Sequence, residues 1–387
     1  MVHPAFWRRV MLGGSLGAAE SWIRGEWTSP DIAAVLRLFV RDIVRLDGLD
    51  RGGRLGAAAA RVWHRFRPNT RRGSRRNIHA HYDLGNDLFE LFLDPSMTYS
   101  SGIFDAPDAS LEDAQIEKLD RICRKLELGP NDHVLEIGTG WGSFALHAAG
   151  RYGCRVTTTT ISQEQHDRAA ERFRRAGVDH LIDLRMQDYR DLEGSFDAVV
   201  SIEMIEAVGH AFLPEYFGTI GRRLRPGGRA CIQAITMPNH RYAAYRKQAD
   251  FIQRYIFPGS CCPSVEAMTA AMGRTSDLRI ADMEDIGVHY AETLKQWRNR
   301  FDARIESVHD AGYDERFARL WRFYLAYCEA GFAERYIGTV QMVLERTGHG
   351  GTRASAMDRR RPGSPVWAED GPSQPAAGPN PNAATVR

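Results

Sequence analysis

Apolar positions along this chain fall into two alternating rhythms. Short apolar and β-branched runs at His133–Ile137, Arg155–Thr160, 182–187, Phe196–Ile202 and 229–235 predict strands. Helical spacing fills the intervals at 143–149, 163–176 and 213–224. Strands separated by helices predict an α/β fold with a doubly wound, mostly parallel sheet. Ligands on such sheets lie at the carboxyl ends of the strands. Upstream, residues 15–24 and 29–41 predict short helices, the second opened by Ser29, Pro30 and Asp31. After Ile235 the regularity lapses. Residues 237–264 are expected to form a partly irregular insertion near the site, followed by helical runs over 291–311 and Glu315–Ala333. The tail from Gly348 is rich in Gly, Pro, Ala and Arg, cannot bury a core, and is expected to be disordered. The expected division is a helical N-terminal domain with an Arg-rich connector (1–76), a main domain (77–347) and the tail (348–387).

Charge changes this picture only locally. With 51 basic and 49 acidic residues the formal net charge is +2, which offers no global field for nucleic acid. Between Arg54 and Tyr82, however, there is no Asp or Glu, while Arg61, Arg65, Arg67, Arg71, Arg72, Arg75 and Arg76 accumulate. No recognition helix or stacking module accompanies them, so nucleic acid is not an expected partner. Six scattered cysteines without C-x-x-C spacing fit free thiols in a reducing compartment, and no metal site is expected. No apolar run approaches the roughly 18 residues that span a bilayer. Residues 10–19 are too short and too rich in glycine for a signal peptide, which points to the cytoplasm.

The stretch H-V-L-E-I-G-T-G-W-G (133–142) runs a strand into a turn with Gly138, Gly140 and Gly142. Glycine lets a ligand lie directly on the backbone. A dinucleotide fingerprint, G-x-G-x-x-G, would place its third glycine one residue later, so this loop points to S-adenosylmethionine instead. Taken alone, such a loop is as often a plain structural turn. Further segments converge with it: T-T-T-T-I-S-Q-E-Q (157–165), M-Q-D-Y-R-D-L (186–192), S-I-E-M-I-E-A-V-G (201–209), L-R-P-G-G (224–228) and N-I-H-A-H-Y-D-L-G-N-D-L-F-E-L-F-L-D-P-S-M-T-Y-S-S-G-I-F (77–104). Together they resemble the cyclopropane-fatty-acyl-phospholipid synthase family, which includes methyltransferases of unsaturated fatty acyl and mycolyl chains. The resemblance spans residues 11–347, and I-Q-A-I-T-M-P (232–238) is similar to a subgroup with enzymes that form mid-chain methyl or methylene branches. It implies a Rossmann-like class I methyltransferase fold with a helical insertion or lid. A longer N-terminal region is common in the family, so either this chain's N-terminal domain is shortened or its start is incomplete.

The resemblance also assigns residues. For S-adenosylmethionine it implies Gly138, Gly140 and Gly142 at the methionine end, Tyr99 and Ser100 closing over it, Thr160 and Gln165 near the ribose, and Gln187 and Asp188 beside the adenine. Tyr99 and Thr160 taken singly would equally suit a buried aromatic and a strand end. Family members are thought to hold a bicarbonate base among Cys, Glu, His and Tyr. Carried onto this chain, the Glu is Glu206 and the Tyr is Tyr290, while Ser101 and Gln233 stand at the Cys and His positions. Ser and Gln still donate hydrogen bonds, but neither titrates near neutrality as His does, so bicarbonate binding and ring closure are left open. Cys328 matches a cysteine near the family's site and is expected to be a pocket wall. Glu206 is equally readable as a helix-start acid.

Methyl transfer to an alkene leaves a carbocation, which desolvated aromatic faces stabilise by about 2 kcal/mol or more. Tyr255, Phe257, Trp297, Phe301, Tyr324 and Phe332 are candidates for that lining, although such stripes are more often plain core. The expected activity is therefore methylation of unsaturated acyl chains of membrane phospholipids, giving cyclopropane or methyl- or methylene-branched chains. Two alternatives are a small-molecule N- or O-methyltransferase on the same fold and a degenerate lipid- or cofactor-binding homologue. Substrates inside a bilayer require peripheral attachment to the inner face of the membrane. The arginine connector is the candidate for contact with an anionic surface, with a solvated linker equally readable. A homodimer is implied by the family's N-terminal domain.

Overall fold

A strand buried on both faces tolerates polar side chains only when they find partners within the sheet. R-V-T-T-T-T meets that condition. In this strand Thr157 pairs with His133, Thr158 donates to Glu136 and Thr159 donates to the Gln187 carbonyl. The computed structural model describes residues 2–46 and 85–348. Within them a seven-stranded sheet runs in the order β3-β2-β1-β4-β5-β7-β6. The strands are β1 (His133–Ile137), β2 (Arg155–Thr160), β3 (Ile182–Met186), β4 (Phe196–Ile202), β5 (Leu224–Thr236), β6 (Leu278–Asp285) and β7 (Gly338–Arg346). Strands β1 to β5 are parallel, and β7 lies antiparallel between β5 and β6. The chain order reverses beside β1, which has β2 on one side and β4 on the other. That reversal opens a crevice at the carboxyl ends of the strands.

The helices are α1 (Ala5–Ile23), α2 (Ile32–Leu46), α3 (Asn86–Glu90), α4 (Leu111–Lys125), α5 (Ser143–Tyr152), α6 (Gln163–Arg175), α7 (Leu213–Arg223), α8 (Asn239–Tyr245), α9 (Phe251–Tyr255), α10 (Val265–Thr275), α11 (Gly287–Ala303), α12 (Ile305–Asp310) and α13 (Glu315–Ala333). The expected doubly wound sheet and its first five strands are all present. The irregular insertion contains two short helices, α8 and α9. The expected helix over 291–311 begins four residues earlier, and its φ of −116° and ψ of 27° at Arg304 divide it into α11 and α12.

Strands β6 and β7 were not anticipated by the apolar pattern. β6 is an exposed edge whose acids pair with α4, Lys125 with Asp282 and Glu284, and Arg121 with Glu284. Charge of this kind protects an edge against pairing with another chain and erases the apolar alternation that signals a strand. The α4 helix, also unanticipated, begins with a capping box in which Ser110 and Asp113 satisfy each other's backbone amides.

The N-terminal helices do not stand apart from the rest. Trp22, Trp27, Ile32 and Leu36 belong to one apolar cluster with Phe89, Phe92, Trp297 and Trp321. α1 bends at Gly14, where the backbone leaves the helical region. Arg319 of α13 joins the pieces: its guanidinium lies over the Trp22 ring at 4.4 Å and donates to the carbonyls of Trp22 at 2.6 Å and Trp27 at 2.9 Å. The Trp22 indole donates back to the Arg319 carbonyl at 3.0 Å. The proposed boundary at residue 76, the arginine connector and the tail from residue 349 lie outside the described residues.

Arg319→Ala removes charged hydrogen bonds to two carbonyls and a cation–π contact together. It is expected to lower stability by about 2–3 kcal/mol. A urea denaturation midpoint equal to that of the parent would show that α1 and α13 associate without it.

Candidate active site

The glycine loop leaves β1 with φ of +99° at Gly138, +54° at Gly140 and +88° at Gly142. These are left-handed angles, which cost other residues about 1–2 kcal/mol each. The glycines differ in what they face. A Cβ on Gly142 would meet the Phe173 ring at 2.5 Å, so that position is demanded by packing. A Cβ on Gly140 would meet nothing within 4 Å, which leaves the backbone open to a ligand. Buried Arg172 of α6 donates to the carbonyls of Trp141 and Ser96, tying this loop to the segment that carries Tyr99, Ser100 and Ser101. The Trp141 indole donates to Asn86 at 2.7 Å, which gives the N-D of the upstream motif a positional role.

The expected cofactor residues line the same end of the sheet, although several are already engaged with one another. Tyr99 and Tyr324 share a hydroxyl hydrogen bond of 2.7 Å. Ser100 accepts from Lys118 at 2.7 Å. Thr160 donates to Gln165 at 3.0 Å across the β2–α6 turn. Gln187 donates to the Asp191 carbonyl, while Asp188 receives the Arg190 guanidinium at 2.6 Å and caps the turn over Tyr189–Asp191.

The expected catalytic residues are organised around a side chain that the sequence reading passed over. Glu203, the first residue after β4, accepts at one carboxylate oxygen from Gln233 at 2.7 Å and from the Ser101 amide at 2.9 Å. Its other oxygen accepts from the Tyr290 hydroxyl at 2.6 Å. Ser101, Gln233 and Tyr290 therefore converge, from the loop after α3, from β5 and from α11, on one carboxylate. Behind Gln233 stands Gln341 of β7, which donates to the Gln233 side-chain oxygen at 3.1 Å and aims the Gln233 NH2 at Glu203. Glu203 also has a φ of +50°, an expensive conformation for a residue with a Cβ. Its residue surface is only partly covered, while protein encloses the carboxyl at longer range.

Glu206 lies close by but outside that set of donors. One oxygen accepts from the Ile235 amide at 2.5 Å, and the other is buried without a partner among the described residues. Burial and the neighbouring negative charge of Glu203 push its carboxyl up to about 8. Burial also raises Glu203, but Tyr290, Ser101, Gln233 and Lys118 oppose that shift. Burial thus raises both carboxyls, and the donors that oppose it gather on Glu203 and not on Glu206. Lys118 is fully buried on α4, and burial lowers its ammonium to about 8 against the attraction of Glu203, Asp94 and Glu136. The Glu136 carboxyl is likewise raised to about 8 by burial.

The aromatic wall is narrower than expected. Tyr99 lies 5.2 Å from Trp297 and 6.5 Å from Phe257, Phe257 is 6.2 Å from Tyr324, and Tyr290 stacks on Phe332 at 4.4 Å. The Trp297 indole N–H is buried without a partner among the described residues. Two candidates lie elsewhere. The Tyr255 hydroxyl donates to Glu20 of α1, and Phe301 packs on Phe92 in the helical core. The Cys328 thiol has its pKa raised by burial, which suits a wall and not a nucleophile.

Two signals pointed at the overlooked residues. Lys118 and Gln115 occupy the inward stripe of α4 with Leu111, Ala114, Leu119 and Ile122, a place where polar residues need a reason. Glu203 sits at the carboxyl end of an apolar strand, where ligands of such sheets bind.

Residues 69–342 match the family model described as mycolic acid cyclopropane synthetase. The chain is 42% identical over 357 residues to the tuberculostearic acid methyltransferase UfaA1 of Mycobacterium tuberculosis, covering 88% of this chain and 81% of that protein. It is 35% identical over 370 residues to the cyclopropane-fatty-acyl-phospholipid synthase of Escherichia coli K12, covering 91% and 89% respectively. Among solved structures, mycolic acid cyclopropane synthase CmaA1 complexed with SAH and CTAB superposes with a TM-score of 0.66 at 27% identity, covering 70% of this chain and 98% of that one.

Glu206→Gln is expected to flatten the pH dependence of stability. Because the folded carboxyl titrates near 8 and an unfolded one near 4.5, the unfolded state releases its proton first. This contribution is fully present at acid pH and is lost as pH rises from about 4.5 to 8. Thermal melts at pH 5 and pH 8 should therefore differ less in the variant, and an unchanged difference would place the proton elsewhere. With a family model matching most of its length and a relative at 42% identity, the chain belongs to the mycolic acid cyclopropane synthetase family.

Proposed function

We propose that this protein transfers the methyl group of S-adenosylmethionine to the double bond of unsaturated acyl chains in membrane phospholipids. The product is a cyclopropane or a methyl- or methylene-branched chain. Methylation of unsaturated fatty acyl chains follows from membership of the family and from the activities its named relatives carry. One observation supports the finer reading: the rings of Tyr99, Phe257, Tyr290, Trp297 and Tyr324 form a connected aromatic wall, which reaches the glycine loop where Tyr99 lies 6.5 Å from Trp141.

The open backbone at Gly140 and the position of the loop at the sheet reversal fit the donor. Gly138, Gly140 and Gly142 would hold its methionine end with Tyr99 and Ser100, and Thr160, Gln165, Gln187 and Asp188 would hold the nucleoside. Bound there, its sulfonium supplies an electrophilic methyl group. An alkene is a weak nucleophile, so the protein's contribution is alignment in a dry space, where positioning supplies ~7–11 kcal/mol of a barrier. The faces of Tyr290 and Trp297 can then stabilise cationic charge on the acyl chain. Bicarbonate does not fit this site as the family would place it. The Ser101 amide, Gln233 and Tyr290 are already committed to Glu203.

Among the described residues no helix is long and apolar enough to cross a membrane. The enzyme would work from the cytoplasmic face, with Arg71, Arg72, Arg75 and Arg76 contacting anionic lipid at about 1 kcal/mol each. Trp7, Met11 and Leu12 of α1, all exposed, supply apolar side chains for the same contact.

Incubation with methyl-labelled donor and monounsaturated phospholipid vesicles should yield acyl chains heavier by one methylene unit. A test for a surviving double bond then separates branch from ring. Label appearing only on small amines or hydroxyls would overturn the reading. Replacing the four arginines by Gln should weaken binding to anionic vesicles by tenfold or more and leave neutral vesicles unaffected. Equal binding of parent and variant would remove the membrane role.

A further inference from the structure

Alkene methylation needs a base at the end as much as a methyl donor at the start. We infer that the base is built into the chain: the Glu203 carboxylate occupies the place of a free oxyanion and takes the proton that completes the reaction. This inference rests on the reading of the site given above.

Three observations support it. At the positions where the family resemblance places an oxyanion's partners, the Ser101 backbone amide, the Gln233 side chain and the Tyr290 hydroxyl all donate to Glu203, at 2.9, 2.7 and 2.6 Å, while the Ser101 hydroxyl donates to the Gly102 carbonyl. A carboxylate shares with bicarbonate a planar carbon bearing two oxygens that divide one negative charge, so the same donors serve either. Next, Glu203 adopts a left-handed φ of +50° immediately after β4, and its amide donates to the Gln233 carbonyl at 2.8 Å. A conformation that costs about 1–2 kcal/mol persists only where the surroundings over-determine it, and such residues cluster at working sites. Finally, the surroundings favour a charge on this residue over its neighbour: Glu203 has donors on both oxygens, whereas Glu206 has one backbone amide and one oxygen without a partner among the described residues.

The atoms balance without another reagent. The alkene π pair forms the bond to the incoming methyl carbon, and the carbon–sulfur pair leaves with sulfur. The acyl chain is then one electron pair short at the neighbouring carbon. Glu203 takes a proton from a carbon beside that centre, or from the new methyl, and becomes a neutral carboxylic acid. The released C–H pair makes either a new double bond or the third side of a ring. On product release the proton passes to solvent. Tyr290, whose hydroxyl is bonded to Glu203 and whose ring stacks on Phe332, sets the carboxylate against the aromatic wall. The carboxylate is held on three sides, so its reach is short and it selects which proton leaves.

The experiment measures methyl transfer to monounsaturated phospholipid in buffer stripped of carbon dioxide. Wild-type turnover should be the same, within twofold, with and without added bicarbonate. Glu203→Gln should lose at least a hundredfold in turnover, the usual range for a general base, with donor affinity changed less than threefold. Glu203→Gly relieves the φ of +50° and opens an anion-sized space. It should be nearly inactive in stripped buffer and regain activity in saturable fashion as bicarbonate or formate is added. Rescue of this kind would not follow from a purely structural role, and it decides the matter even if the Gln variant fails to fold. Dependence of the wild type on bicarbonate would overturn the inference. So would a Glu203→Gln enzyme within threefold of wild type, or a folded, donor-binding Glu203→Gly enzyme that no anion revives. A wild type that methylates no lipid under any condition would instead defeat the underlying reading of the site.

Discussion

A carboxyl whose charge is disfavoured by burial constrains everything around it. Hydrogen-bond donors reach Glu203 from separate parts of the chain and, with Lys118, oppose the effect of burial. Each donor must itself be fixed. Gln233 is aimed by Gln341, which requires β7 to lie antiparallel against β5 in the observed register, Gln233 opposite Gln341. Tyr290 is fixed by stacking on Phe332, which requires α11 and α13 to pack together. Ser101 is held by its loop, where Lys118 bonds to Ser100 and Gln115 donates to the Ser100 carbonyl. The added antiparallel strand and the C-terminal helices thus serve one carboxylate as well as covering the sheet.

The clustering of Glu203, Glu206, Glu136 and Lys118 is expensive, and its charge states follow from that expense. Taking an ion out of water costs several kcal/mol unless partners compensate. The compensation here is unequal: Glu203 has donors on both oxygens and Glu206 has a single backbone amide. Two adjacent acids in unequal settings separate into a base and a proton holder, the pattern by which active sites divide acid and base roles. The aromatic groups do complementary work. They offer faces that tolerate positive charge, which a wall of aliphatic side chains cannot do.

The helical layer is also more closely integrated than its place in the sequence suggests. Trp22 and Trp27, near the amino terminus, share a core with Trp297 and Trp321. Tyr255 donates to Glu20 of α1, so α9, on the insertion that follows β5, is fastened to the first helix.

How much was legible in the chain depended on the range of the interaction. The parallel strands could be read because valine, isoleucine and threonine runs carry their own period, and the glycine loop because left-handed angles exclude other residues. Site residues could be named where the flanking motif fixed their positions, Tyr290 as the family's own residue and Ser101 and Gln233 as departures from its Cys and His. Strand β6 was hidden because a protected edge must look polar, and Lys118 because a buried cation leaves only a small break in an apolar stripe. Glu203 and Glu206 are both glutamates three residues apart in one short segment. The local sequence determined that an acid would stand at the end of β4. Which acid meets the donors was decided by the fold, because hydrogen bonds depend on distances between strands and helices that no single segment contains.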